Sequence, residues 1–188
     1  MTRRRLERFK GPNDLIVDSK ENIYFTDQSQ TGITDQTGKA YRLSQDSKLD
    51  QLVDNGISPN GLVLSREGKA LFVAMTRSNQ VWRLPLHDDG TTTKAGVFFQ
   101  SFGTAGPDRL TLDEEENLFI CHPSLGSVFV VDPSGLPKAR IVSGTNGVNL
   151  TNCCSRGPEN KTLYITDILN DVYRRLSSIA RELWRHQG

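Results

Sequence analysis

The chain is poor in the residues that announce several familiar chemistries. It holds only three cysteines and three histidines in 188 residues. Cys121, Cys153 and Cys154 make an odd count, two of them adjacent and none in a CxxC spacing, which argues against a disulfide framework or a zinc ribbon. His87, His122 and His186 share no ligand spacing. No apolar run approaches the roughly 20 residues that a membrane helix needs. Arg3, Arg4 and Arg5 precede no apolar core, so no secretory leader is read there. Nor is there a charge imbalance: 23 basic against 22 acidic side chains give no general case for nucleic acid or an anionic membrane as partner. Reduced, partly buried thiols in a cytoplasmic protein are the expectation.

What the chain does contain is a repeat. Segments beginning at Pro12-Asn13-Asp14-Leu15, Pro59-Asn60-Gly61-Leu62, Pro107-Asp108-Arg109-Leu110 and Thr151-Asn152-Cys153-Cys154 recur every 44 to 48 residues. Each is followed at a fixed distance by an apolar strand: Ile23-Tyr24-Phe25, Leu71-Phe72-Val73, Leu118-Phe119-Ile120 and Leu163-Tyr164-Ile165. Polar turns such as Ser19–Asn22 and Glu114–Asn117 separate the first two strands of a unit. Third strands are expected at 40–43, 80–84, 127–131 and 172–174, and fourth strands at 50–53, 96–99 and 139–142. Four short strands in about 45 residues is the pattern of a β-propeller blade. The expectation is an all-β partial propeller over residues 1–173, with about four blades starting near 12, 59, 107 and 151. Residues 174–188 read as a C-terminal tail with helical periodicity, Leu176, Ile179 and Leu183 forming one stripe. An arc of four blades falls short of closure, so the reading is of a truncated chain whose open edges invite self-association.

The repeat also places chemistry. The end of each innermost blade strand points into the funnel at the propeller axis. Asn13, Asn60 and Asp108 would converge there, two amide carbonyls and a carboxylate. That donor set suits a hard divalent cation, calcium foremost. Any single Pro-Asn pair is also ordinary turn chemistry. The weight lies in three copies in one register.

Gly11–Asp18, Tyr24-Phe25-Thr26-Asp27, Pro59–Leu62, Gly106-Pro107-Asp108 and Thr162–Thr166 together resemble successive motifs of the gluconolactonase family, which includes regucalcin and luciferin-regenerating enzyme. The likeness runs from about Arg8 to about Thr166. It implies a six-bladed propeller with a divalent cation, usually calcium, at the channel floor, and hydrolysis of sugar lactones or related esters. By the resemblance Asn13, Asn60 and Asp108 are metal ligands, and Asp108 doubles as general base. A small-molecule lactone or ester is then the expected partner. Arg109, Asp14 and Asp27 are further candidates for substrate contact, with turn or hairpin capping as the alternative for the two aspartates. The polar stretch 28–38 is the one long loop able to touch a sugar.

Three departures from the family pattern stand out. Its first-blade glutamate ligand has no counterpart ahead of the Pro12 motif. Arg109 replaces the glycine of the family's Pro-Asp-Gly. Beyond Asp167 the likeness ends. A non-catalytic calcium-binding or interaction module is therefore the alternative to a lactonase.

Overall fold

The computed structural model describes residues 8–142, 149–156, 162–168 and 172–177. Among them the chain is all-β and propeller-like in its antiparallel sheets. β1 (Pro12–Val17), β2 (Ile23–Asp27), β3 (Gly38–Leu43) and β4 (Leu49–Gly56) pair in chain order. A second sheet holds β5 (Pro59–Leu64), β6 (Ala70–Met75), β7 (Gln80–Pro85) and β8 (Gly96–Gln100). The third holds β9 (Leu110–Leu112), β10 (Leu118–His122), β11 (Ser127–Val131) and β12 (Pro137–Val142). In the fourth, β13 (Leu150–Arg156), β14 (Thr162–Asp167) and β15 (Val172–Ser177) pair in the same antiparallel way.

Turn chemistry explains why these hairpins form. Asp18 Oδ1 accepts the backbone N–H groups of Lys20 and Asn22, and Asp113 Oδ1 accepts those of Glu115 and Asn117. Each aspartate closes its turn locally, with Glu21 and Glu116 in the left-handed region at the tip.

The sheets stack face to face, and the second strands carry the packing. All six residues of β6 are buried. Leu71, Val73 and Met75 meet Tyr24, Ala40 and Val53 of the first sheet, while Ala70, Phe72 and Ala74 meet Leu118, Ile120 and Val131 of the third. In β10 the alternation repeats: Phe119 and Cys121 turn to Leu150, Cys153, Leu163 and Ile165. A strand buried on both faces reads as a continuous apolar run. Each fully buried large aliphatic or aromatic side chain there contributes roughly 1.5–3 kcal/mol.

The first sheet packs only one face in this way. Strand register puts Leu15, Phe25 and Tyr41 on its other face, with Val17, Ile23, Leu43 and Leu49. Phe9 lies edge-on to Phe25 and Tyr41, at 5.2 and 5.5 Å between ring centroids. Leu15 and Val17 are 59% and 55% exposed.

At the C-terminal end the backbone corrects the helical reading where it begins. β15 pairs with β14 from Asp167↔Val172 to Thr162↔Ser177, so residues 174–177 are strand. Leu176 suits a helical stripe and an alternating strand equally, and the pairing edge of β14 decides. The rest of that expected helix lies outside the described residues. Cys121, Cys153 and Cys154 are free, the first two buried.

Candidate active site

The motif positions sit on irregularities of the inner strands. In β1, Pro12 pairs with Asp27 and Leu15 with Phe25, so one extra residue is inserted at Asn13-Asp14. The same shift lies between Pro59 and Leu62 in β5, and between Leu150 and Asn152 in β13. Just before β9, the Asp108 N–H donates to Cys121 O while the Cys121 N–H donates to Arg109 O, so two residues again face one. A bulge turns a side chain out of the pleat and recurs next to functional sites. Here it does so at one register of four successive sheets. β1 packs on β5, β5 on β9 and β9 on β13, which gathers the bulges at one end of the assembly.

Asn60 and Asp108 are in contact. Asn60 is buried, its Nδ2 donating to Thr76 Oγ1 at 3.2 Å and its side chain hydrogen-bonding Asp108. Thr76 Oγ1 in turn donates to Pro107 O at 2.7 Å. Burial raises the Asp108 carboxyl to about 6; the Arg109 guanidinium and the Asn60 hydrogen bond oppose that rise, and the Asp14 charge adds to it. Asn13 is exposed and joins less directly. Its Nδ2 donates to Gln28 Oε1 at 2.6 Å, and Gln28 Nε2 donates to Ser58 Oγ at 2.9 Å, two residues before Asn60.

Asp14 and Arg109 form an ion pair across 95 residues of sequence, Arg109 Nη1 on Asp14 Oδ1. Asp14 Oδ2 accepts the Leu62 N–H at 3.1 Å. Gly61 makes this possible: a Cβ there would lie 2.3 Å from Asp108 O and 2.7 Å from Arg109 Cα. Asp14, Gly61 and Arg109 follow the motif residue in successive repeats, so the bare glycine leaves room for its two neighbours to meet.

Asp27 is drawn into the backbone. Its carboxylate accepts the N–H groups of Lys10 and Gly11, fixing the approach to Pro12-Asn13. Loop 28–37 also acts internally: Thr31 Oγ1 accepts the Ser58 N–H and donates to Gln28 O.

Several site residues escape a reading of the sequence. Thr26 is fully buried, with its Oγ1 donating to Asn60 O at 2.8 Å and accepting the Asp14 N–H. The Thr-Asp pair that ends β2 and recurs at Thr166-Asp167 is the signal that could have flagged it. Gln28 and Thr76 carry no such mark. His122, fully buried, sets its Nε2 3.0 Å from Ser101 Oγ at the start of the loop leading to Asp108, and burial lowers its imidazole to about 4.

A divalent cation fits the donors present. Among the described residues no three His, Cys, Asp or Glu side chains come together, so thiolate and imidazole sites are not offered. The Asn60 and Asn13 amides direct their N–H groups to Thr76 and Gln28, and the carbonyl oxygens of those amides are the ligands a hard cation takes. Beside them Asp108 is a half-buried carboxylate whose charge its neighbours offset only in part.

Residues 2–168 match the SMP-30/gluconolactonase/LRE-like region as a family. A gluconolactonase of Zymomonas mobilis is 33% identical over 93% of this chain and 52% of its own length. Lactonase drp35 of Staphylococcus aureus is 32% identical over 69% of this chain and 41% of its own. The chain thus spans about half the length of the curated relatives it matches. A solved gluconolactonase from Xanthomonas campestris superposes with a TM-score of 0.71 at 25% identity, covering 88% of this chain and 56% of that one. The calcium-binding protein regucalcin from Agrobacterium tumefaciens shares the fold at a TM-score of 0.73 and 21% identity, covering 93% and 64%. Motifs, sheets and matches agree, and the chain belongs to the SMP-30/gluconolactonase/LRE-like family.

Proposed function

We propose that this chain is part of a lactone hydrolase, its four sheets being blades of a six-bladed propeller and its site lying at the inner-strand bulges. The observation that carries the reading is the Asn60–Asp108 contact, where a half-buried carboxylate and a fixed, buried amide share one end of adjacent inner strands. The gluconolactonase and lactonase names of its relatives support lactones as the substrate class.

Asp108 accepts a proton from the attacking water, which must come within hydrogen-bond reach of it. Asn60 orients that carboxylate, and Thr76 holds Asn60 while reaching back to Pro107. A divalent cation, calcium by preference, would be held by Asn60, Asp108 and Asn13 and would supply the positive charge that polarises a lactone carbonyl. Asp27 shapes the backbone ahead of Asn13 rather than touching substrate. The apolar outward face of the first sheet is the surface through which the 188-residue chain self-associates.

Asp108→Asn tests the assignment. Loss of a general base lowers the rate by about 10²–10⁴-fold. Hydrolysis at an undiminished rate would remove Asp108 from the chemistry, and calcium binding without lactone opening in the unaltered chain would favour a binding module.

A further inference from the structure

Arg109 stands beside the proposed base, where the neighbouring repeat has Gly61. Its partner Asp14 is fully engaged: the Asp14 side chain is 2% exposed, with Oδ1 taken by Arg109 and the Leu15 N–H and Oδ2 by the Leu62 N–H. The Arg109 side chain is 38% exposed and gives Asp14 only Nη1. A guanidinium carries further N–H donors in a planar fork matched to carboxylate and phosphate oxygens. The ion pair also holds the head group still, which lowers the ordering cost of a second contact.

We propose that Arg109 is a specificity-determining residue whose free guanidinium edge receives an anionic substituent, a carboxylate or a phosphate, on the lactone. This deepens the lactonase reading and rests on it. Asp14 positions the guanidinium, and Gly61 keeps the space between the two strands open. Asp14, Asp108 and Arg109 together sum to one negative charge, and a bound divalent cation would reverse that sign. Anion preference therefore belongs to the calcium-loaded protein, and it weakens as salt rises.

Three ring-opened acids probe this without turnover. Gluconate has one carboxylate, glucarate adds a second at the far end, and gluconate 6-phosphate adds a phosphate there instead. Titration calorimetry in calcium is expected to show glucarate or gluconate 6-phosphate binding at least about tenfold more tightly than gluconate, a gain typical of a charge-assisted contact. The tighter of the two identifies the substituent. Arg109→Gln abolishes the difference. Asp14→Asn/Arg109→Gln does so too, while leaving no buried carboxylate without its partner. Equal binding of all three acids, or a preference that survives both variants, overturns the proposal. If the preference holds and no lactone is hydrolysed, the lactonase reading fails and the anion site stands.

Discussion

Burial holds the Asp108 carboxyl at about 6 in the folded chain, above the 3.8 of an unperturbed aspartate. The folded state therefore binds this proton more tightly than the unfolded one. Its stabilising effect is complete below pH 3.8 and is lost as pH rises through about 6. At pH 8 the ionised, cation-free side chain is expected to cost on the order of 2 kcal/mol. Asp108→Asn should thus raise the melting temperature of chelator-treated protein at pH 8 and leave it nearly unchanged at pH 4, even as it slows hydrolysis by about 10²–10⁴-fold. Gly61→Ala works in the opposite direction. The added methyl meets the Asp108 carbonyl and the Arg109 backbone, so a loss of roughly 1–3 kcal/mol in denaturant unfolding is expected. Asn60 and Asp108 could be read from the sequence because the repeat puts them in one register. The Asp14–Arg109 pair could not, since nothing local marks two charges 95 residues apart as neighbours. Gln28 and Thr76 stayed hidden for the same reason: their roles come from hydrogen bonds that only folding creates.

At the level of elements, the strands followed from apolar alternation and from turn residues that close their own hairpins. The bulges did not, because an inserted residue changes pairing without changing the apolar pattern. Yet the bulges are what bring the motif side chains out of the pleat. The strand that ends in His122 makes a separate prediction. Burial depresses its imidazole to about 4 from 6.5, so the folded state favours the neutral ring. The resulting stability is present above pH 6.5 and lost as pH falls through about 4. His122→Gln should flatten that acid limb, seen as a smaller fall in melting temperature between pH 7 and pH 4. The C-terminal segment shows the limit of periodicity. Leu176 satisfied a helical stripe, and the free edge of β14 took residues 172–177 into the sheet instead.

At the scale of the molecule, the described residues form four antiparallel sheets with shared cores, and the first sheet has an apolar face that no described element covers. Leu15 and Val17 on that face lie in register with Phe25 and Ile23. Sedimentation velocity on the 188-residue chain is expected to show association that grows with concentration, and Leu15→Lys/Val17→Lys should shift it to monomer. The repeat starting near 12, 59, 107 and 151 made this architecture legible, since each unit buries its apolar strands only against the next. In the proposed function the bulge register assembles a cation-dependent lactonase centre around Asp108. Its most direct test is the rate of glucono-1,5-lactone hydrolysis, above the spontaneous rate, in calcium and after chelation. Hydrolysis in calcium that chelation abolishes and added calcium restores is the expected result; the spontaneous rate under both conditions, or a rate indifferent to chelation, would rule such a centre out.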